Sequence, residues 1–416
     1  KLEKTPREIS SYYHEKNIEL FKKIGISYDL FTKTDTENHK EVAQDFFLKI
    51  LKKDFLYKDI TKQYYSEKEK KFLPDRYVEG ECPFCASKAA RSDQCDNCGN
   101  VLEQKELKNP ISKLSGSAVS LKDSEHYFLN WPKLQPFLEK YFSGRKDAWR
   151  AWINNETAGW LKKGLKPRAI TRDLDWGIEL PNEHIPDNFK IDQPEHKRIY
   201  VWFDAVIGYL SASIEWSKKT GNADLYKKWW YDKTAEHYYF MGKDNLIFHA
   251  LFWPGQLYLY DENIHLPDVP VINQFLNLEN QKFSKSRNII IDSKYIAETY
   301  GVDPVRFYLT MIAPENHDSN FTWSEFVSVT NNILTATIGN FVMRALVLAS
   351  KAELTSNAIE EKEAREITRL MNCLVETVNF QSFKKYAEIV VSIADLGNKY
   401  LSAREPWALR EDNKKF

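Results

Sequence analysis

Lys282, Ser284, Lys285 and Ser286 fall within five residues, with Phe283 among them and Arg287 and Asn288 following. Lysine carries a compact ammonium on a flexible stem, and hydroxyl and backbone N–H groups can wrap phosphate oxygens. Such a loop suits a polyphosphate and can neutralise charge as pyrophosphate leaves. The same composition also describes an ordinary solvated loop, so its neighbours must decide. A second pattern is metal-like. Cys82 with Cys85 and Cys95 with Cys98 make two C-x-x-C knuckles, and Gly99 follows the second to permit a positive φ. Each knuckle folds two sulfurs to one side, so the pair can offer four thiolates to Zn²⁺ in a closed site that serves folding rather than catalysis.

The elements that would hold such groups can be read in part. Ile199 to Phe203 is a β-branched and aromatic run that predicts a buried parallel strand ending at Asp204 and Gly208. Ligands of open α/β sheets bind beyond the carboxyl ends of strands, which places Trp202, Ala205, Val206 and Tyr209 around a pocket or, equally, in a plain core. A second strand is expected to end at Phe240 and Met241, with a helix starting near Asp244, whose carboxylate can cap it. Gly242, Asp244 and Asn245 lie at that junction. His249 follows between Phe248 and Phe252, the surroundings of an ordinary core histidine. From about Trp323 the apolar spacing becomes helical, with Ile338, Phe341, Val342, Ala345 and Leu348 on one stripe and Ile367, Leu370, Leu374 and Val378 on another. Asn340 and Arg344 share a face beside the first stripe, and Trp407 follows a Glu405-Pro406 break.

Composition bounds the rest. With 416 residues, 43% of them hydrophobic, the chain can bury the cores of several domains. The 59 basic and 59 acidic residues cancel, so any nucleic-acid contact must come from local patches. No uninterrupted apolar run approaches a membrane span and no secretory signal is present, so a cytoplasmic location without membrane contact is expected. Cys373 lies in an apolar-periodic run and reads as a core residue.

The Lys282–Ser286 loop resembles the KMSKS signature of class I aminoacyl-tRNA synthetases, with Phe283 in place of the usual methionine. Asp303-Pro304-Val305-Arg306-Phe307-Tyr308 resembles the segment that follows the signature in these enzymes. The run Phe72 to Gly80 entering Cys82, the Ile170-Thr171-Arg172-Asp173 block running into Trp176-Gly177, and Val201-Trp202-Phe203-Asp204-Ala205 narrow the resemblance to the methionine-specific branch. Val206 stands where that branch has proline. The stretch Tyr65 to Lys71 lacks the cysteines of a second knuckle, so one zinc is expected.

The resemblance implies an α/β fold: a Rossmann-like class I catalytic domain without its first part, a zinc-knuckle connective insertion, and an all-α anticodon-binding bundle. The expected divisions are residues 1–60 and 171–270 for the two catalytic halves and 61–170 for the insertion. Residues 271–324 form a linking segment with the loop, and 325–416 the bundle. The implied activity is methionine–tRNA ligation, in which ATP and L-methionine give methionyl-adenylate and the aminoacyl group passes to tRNA(Met), with Mg²⁺ accompanying ATP. By the same resemblance, Trp202, Ala205, Val206, Tyr209, Asn245 and His249 surround methionine. Lys282, Ser284, Lys285, Ser286, Gly242 and Asp244 attend ATP, with Lys285 the main catalytic group and Lys282 assisting. Cys82, Cys85, Cys95 and Cys98 hold zinc, and Asn340, Arg344 and Trp407 read the anticodon. No H-x-G-H signature occurs, and the chain starts past the place where the family carries it, so it reads as a truncated form. The alternative is a non-catalytic tRNA-binding protein descended from such an enzyme. Oligomeric state is not legible.

Overall fold

A computed structural model describes residues 4–74, 77–88, 90–92, 95, 102, 106–284, 288–350 and 360–408. Helix α1 (Pro6–Lys23) starts from a Thr5–Glu8 capping box, and α2 (Glu37–Lys52) from Thr36, whose hydroxyl accepts from the His39 N–H. Along α2, Val42, Ala43, Phe46, Phe47 and Ile50 make one buried stripe, the helical spacing that drives the helix onto the main core.

An antiparallel sheet in the order β2-β1-β6-β7 follows, built from β1 (Leu56–Ser66), β2 (Lys71–Phe72), β6 (Ser120–Leu129) and β7 (Arg168–Ala169). Between β2 and β6 sits a three-stranded unit of β3 (Val78–Glu81), β4 (Ala90–Arg91) and β5 (Lys108–Ser112) with its own small core around Tyr64, Leu73, Val78 and Leu107. Gly80 lets β3 approach β5, since a Cβ there would lie 2.6 Å from the Lys108 carbonyl oxygen. Helices α3 (Trp131–Ser143) and α4 (Ala151–Lys163) lead back to β8 (Thr171–Asp173) and its antiparallel partner β9 (Lys197–Ile199).

The expected strand through Phe203 stops at Ile199. Val201–Asp204 is helix α5, followed by a tight turn over Ala205–Ile207 and by α6 (Gly208–Lys219). Phe203, Val206, Ile207 and Leu210 are buried at helical spacing, a period longer than the short apolar run that suggested a strand. After α7 (Lys227–Trp230), β10 (Tyr238–Gly242) pairs in parallel with β11 (Val269–Asn273), with α8 (Trp253–Tyr260) between them. The helix-heavy core that covers this pair is dense in aromatic contacts, including Trp131 on Phe252 at 4.2 Å and Phe46 on Tyr260 at 3.9 Å.

A small sheet of β12 (Leu276–Leu278), β13 (Gln281–Lys282) and β14 (Ser319–Phe321), in the order β13-β12-β14, is packed by α9 (Ser293–Tyr300) and α10 (Val302–Met311). The Asp303–Tyr308 segment is on α10. Tyr308 is fully buried there, and Arg306 Nη1 reaches the Ile24 carbonyl at the end of α1 over 3.0 Å.

The remaining described residues are helical: α11 (Trp323–Ser328), a wide π-helical stretch, α12 (Asn340–Ala349), α13 (Glu361–Asn379) and α14 (Phe383–Arg404). The continuous rod Trp323–Ala349 contains an 18-residue window of mean hydropathy 1.4 and is long and apolar enough, by length and composition, to cross a membrane. Asn331, Asn332, Asn340 and Arg344 interrupt it, so no uninterrupted apolar run of that length is present in the sequence. The rod packs against α10 and α14. At its crossing with α14, Gly397 abuts the Phe341 ring closely enough that no Cβ fits. Val342 and Val378, expected on inner stripes, are 45% and 55% exposed, and Cys373 is half-buried.

The expected boundaries cut through elements. Residue 60 falls inside β1, 270 inside β11 and 324 inside α11.

The seam between the antiparallel sheet and the β8–β9 hairpin is held by a buried charged network. Lys197 Nζ lies 2.6 Å from Asp173 Oδ1, Ser124 donates to Asp173 Oδ2 over 2.6 Å, and His126 Nε2 lies 3.2 Å from the same oxygen. Burial alone would raise the Asp173 carboxyl. Hydrogen bonds from His126, Lys197 and Ser124 instead hold it below the usual carboxylate range. Lys197→Met should therefore lower folding stability by about 3–5 kcal/mol, since it strands a buried carboxylate. Urea denaturation of the variant would measure this, and an unchanged midpoint would refute it.

Candidate active site and metal centre

The carboxyl ends of β10 and β11 face the same way, with Gly242 opposite Asn273. From Gly242 the chain makes a tight turn over Lys243–Asn245 and enters a π-helical stretch, Phe248–Phe252. Asp244 does not cap this helix. Its Oδ1 accepts from the Asn245 side-chain amide at 3.3 Å, and a tight turn over Lys243–Asn245 stands between it and the helix. The wide turn places His249 facing back towards Asn245 and across to α6. Its Nδ1 lies 3.0 Å from the Asn245 carbonyl oxygen and its Nε2 lies 2.8 Å from Tyr209 Oη.

A carbonyl only accepts, so Nδ1 carries the proton, Nε2 is the acceptor, and the Tyr209 hydroxyl donates to it. Burial pushes the His249 imidazole below its ordinary value and the Tyr209 phenol above its own, so both stay neutral and this arrangement is fixed.

Trp202, Ala205 and Tyr209 are exposed at three- and four-residue intervals and share one helical face. Trp202 stacks on Phe248 at 4.3 Å, and Tyr209 meets Tyr239 edge-on at 4.8 Å. Val206, expected with them, is turned the other way into the core with 4% exposure. The helical period, not the two-residue period of a strand, sets its direction. The result is an aromatic wall in which Tyr209 Oη and His249 Nε2 are hydrogen-bonded to each other.

Next to Gly242 lies a cationic cluster only partly foreseen. Lys243 Nζ sits 4.2 Å from the Phe275 ring centre and 2.7 Å from Asp318 Oδ1, and Lys282 Nζ sits 5.4 Å from the same ring. Lys282 is carried there by β13, where it pairs with Asn277. Ser284 and Ile289 exchange backbone hydrogen bonds of 2.9 and 3.0 Å that close the base of the loop. Lys285 and Ser286 lie outside the described residues. Lys243, Phe275 and Asp318 were not singled out from sequence. Adjacency to Gly242 was the one signal for Lys243, while Phe275 and Asp318 become neighbours only through the β12–β14 pairing.

The knuckle brings Cys82, Cys85 and Cys95 together with all sulfurs within 4.8 Å of one another, Cys82 and Cys95 being buried. Cys85 and Cys95 sulfurs are 3.6 Å apart and form no disulfide. That spacing approximates the edge, about 3.8 Å, of a tetrahedron with metal–sulfur bonds of about 2.3 Å. The trio can hold a metal ion. Cys98 lies outside the described residues. In the bundle, the Arg344 guanidinium lies 5.0 Å from the Trp407 ring centre, and Asn340 Nδ2 donates to Asn398 Oδ1 at 3.3 Å. The fold thus brings Arg344 and Trp407 together, with Asn340 one turn away along α12.

Residues 1–346 match the family of class I tRNA synthetases (M). The chain belongs to that family. It is 41% identical to a methionine–tRNA ligase of Bifidobacterium animalis subsp. lactis over 98% of this chain and 67% of that protein, and 42% identical to one of Thermomicrobium roseum over 98% and 70%. In fold it is similar to a crystal structure of Mycobacterium tuberculosis methionyl-tRNA synthetase bound by methionyl-adenylate, with a TM-score of 0.72 at 22% identity over 96% of this chain and 72% of that one.

The neutral histidine has a pH consequence. As pH falls below 6.5, the unfolded chain takes up the proton that folded His249 refuses, so the stability from burying it neutral is present above 6.5 and lost below it. His126 and His237 are also held down by burial and act in the same direction. Thermal midpoints measured across this range should fall on acidification, with a shallower slope in His249→Gln. An identical slope in that variant would count against the neutral assignment.

Proposed function

We propose that this chain activates L-methionine with ATP and transfers it to tRNA(Met), the work of a methionine–tRNA ligase. Family membership and the named relatives support the reaction class. The observation that carries the residue-level reading is the convergence of Lys282 and Lys243 on Phe275 at the strand ends, beside the Trp202–Tyr209–His249 wall.

In the first step a methionine carboxylate oxygen forms a bond to the α-phosphorus of ATP while the bond to the pyrophosphate oxygen breaks. In the second, a hydroxyl of the tRNA terminal ribose attacks the acyl carbon and AMP leaves. Neither step needs a protein nucleophile, so the side chains act by position and charge. The aromatic faces of Trp202 and Tyr209 suit a polarizable thioether. The Tyr209–His249 bond uses the Tyr209 proton and the His249 lone pair, so of this pair only the Tyr209 oxygen remains, as an acceptor, for an entering side chain, which favours methionine over polar analogues that need more partners.

Lys282, with Ser284, Lys285 and Ser286 of its loop, takes the phosphates, and Lys285 carries most of the charge stabilisation as pyrophosphate departs. Gly242 and Asp244 border the adenosine, and Asn245 and Ala205 the methionine. Mg²⁺ bound with ATP shares the triphosphate charge. The cysteine cluster, with Cys98 as its fourth thiolate, holds one structural Zn²⁺. In the bundle, Asn340, Arg344 and Trp407 suit splayed single-stranded bases by amide and guanidinium hydrogen bonds and by stacking, which is the reading for the CAU anticodon.

Methionine-dependent pyrophosphate exchange by the full-length protein tests the proposal, with other amino acids as competitors. Lys285→Ala should lower exchange by roughly 10²-fold or more while methionine affinity stays near its original value. Equal losses in both would remove Lys285 from this role, and tRNA binding without any exchange would favour the non-catalytic alternative.

Metal analysis should find one zinc per chain. Chelation or Cys95→Ser should lower the thermal midpoint, and a midpoint insensitive to both would refute a structural metal.

A further inference from the structure

Arg150, at the residue preceding α4, bonds directly to three separate parts of the described structure at once. Its Nη1 donates to the Ile272 carbonyl at 2.8 Å and to Asn273 Oδ1 at 3.2 Å, both at the carboxyl end of β11, and to the Glu315 carbonyl at 3.2 Å. Its Nη2 donates to the Gln381 carbonyl at 2.7 Å, in the turn between α13 and α14. Trp152 Nε1 adds a second bond to the Glu315 carbonyl at 2.9 Å.

Glu315 extends the junction towards the bundle. It is 93% buried, being 7% exposed. Its Oε1 accepts from the Lys384 N–H at 3.0 Å, in the first turn of α14, where Ser382 supplies no side-chain cap. A carboxylate at that helix end is favoured by the helix dipole and fills the place of the missing cap. Gln381 is itself buried, with φ of 49°, so the direction of its carbonyl is set by the turn.

On the other side the junction runs into the phosphate end of the site. Beyond Asn273, the Gln274 N–H bonds to the Pro314 carbonyl at 2.7 Å and the Phe275 N–H to Asp318 Oδ1 at 2.9 Å. The Phe275 ring is the one that lies beneath Lys243 and Lys282. A planar guanidinium can hold acceptors in several directions at fixed angles, whereas a lysine ammonium on a flexible stem cannot hold the same set.

We propose that Arg150 and Glu315 form the joint that fixes the helical bundle against the end of β11, and that this joint positions a bundle-bound tRNA for the transfer step. Arg150 is a positioning residue; it touches no reacting atom. The inference rests on the tRNA reading of the bundle given above. The physical basis is leverage: the bundle's base-reading face lies at the far end of α12 and α14, so a small rotation at the joint displaces the tRNA end delivered to the site. A misplacement of about 1 Å costs on the order of 10²-fold in rate.

Intermediacy in space is not coupling, so the test separates chemistry from delivery. Arg150→Ala, Arg150→Lys and Trp407→Ala are made in the full-length protein. Pyrophosphate exchange without tRNA, tRNA affinity by filter binding, and aminoacylation kcat and KM are compared on a transcript with a CAU anticodon and one with that anticodon altered. Arg150→Ala should keep exchange and tRNA affinity within about twofold and lower the aminoacylation kcat by roughly tenfold or more. It should also narrow the ratio between the two transcripts. Arg150→Lys should fall between the wild type and alanine. Should Arg150→Ala not fold, Glu315→Gln, which weakens the hold on α14 and keeps the backbone acceptor, is expected to show the same split.

Exchange and transfer falling in equal proportion would mean a general structural role and overturn the proposal. So would unchanged transfer in the joint variants while Trp407→Ala weakens tRNA binding, a result that leaves the bundle reading intact. Unweakened tRNA binding in Trp407→Ala overturns the bundle reading itself, and the joint with it.

Discussion

The parallel pairing of Tyr238–Gly242 with Val269–Asn273 is the constraint on which the other arrangements depend. Parallel strands end on the same side, so the segments that leave them must share that side whatever lies between them in sequence. From Gly242 the chain enters the turn and π-helical stretch that carry Asn245 and His249. From Asn273 it enters the small sheet that carries Phe275 and Lys282. The aromatic wall and the cationic cluster are neighbours for this reason. A one-residue slip in the ladder would reverse every side chain on the strand and part the two.

Electrostatics follow from burial around that pairing. His249 is held neutral by desolvation, and its two hydrogen bonds make Tyr209 the donor in the bond between them. Their mutual bond uses the Tyr209 proton and the His249 lone pair, so the aromatic faces dominate what the wall offers a ligand, with the Tyr209 oxygen left to accept. The Lys197–Asp173–His126 seam shows the opposite solution, in which a charge stays ionised in the interior because enough donors converge on it. Arg150 is a third case, a cation satisfied mainly by carbonyl dipoles from separate parts of the chain.

Much of this was legible in the residues. The C-x-x-C spacing predicted that sulfurs would converge, and the Lys/Ser loop and the Gly242–His249 block were both marked for ligand work. Strand type was less legible. Ile199 to Phe203 has the composition of a buried strand, yet Phe203, Val206, Ile207 and Leu210 bury at helical spacing, and packing against the core chose between the two periods. Val206 turned inward as a result. The Asp244 cap also failed, because a tight turn stands between the strand and the helix it was expected to open. The helical spacing from about Trp323 predicted the rod Trp323–Ala349, while its interrupting asparagines kept it from reading as one membrane-length apolar run.

The sequence by itself determined the chemistry available: which sulfurs can bind a metal, which lysines can meet phosphate, and which family the motifs resemble. Those are properties of residue type and short spacing, fixed by covalent geometry within a turn or a knuckle. The tertiary structure alone decided that Lys243 and Lys282 share one aromatic ring, that Tyr209 donates to His249, and that Arg150 ties α4 to β11 and to the α13–α14 turn. These contacts join residues tens to hundreds of positions apart. They depend on strand pairing and helix packing, whose free energy is spread over the whole core rather than written in any local pattern.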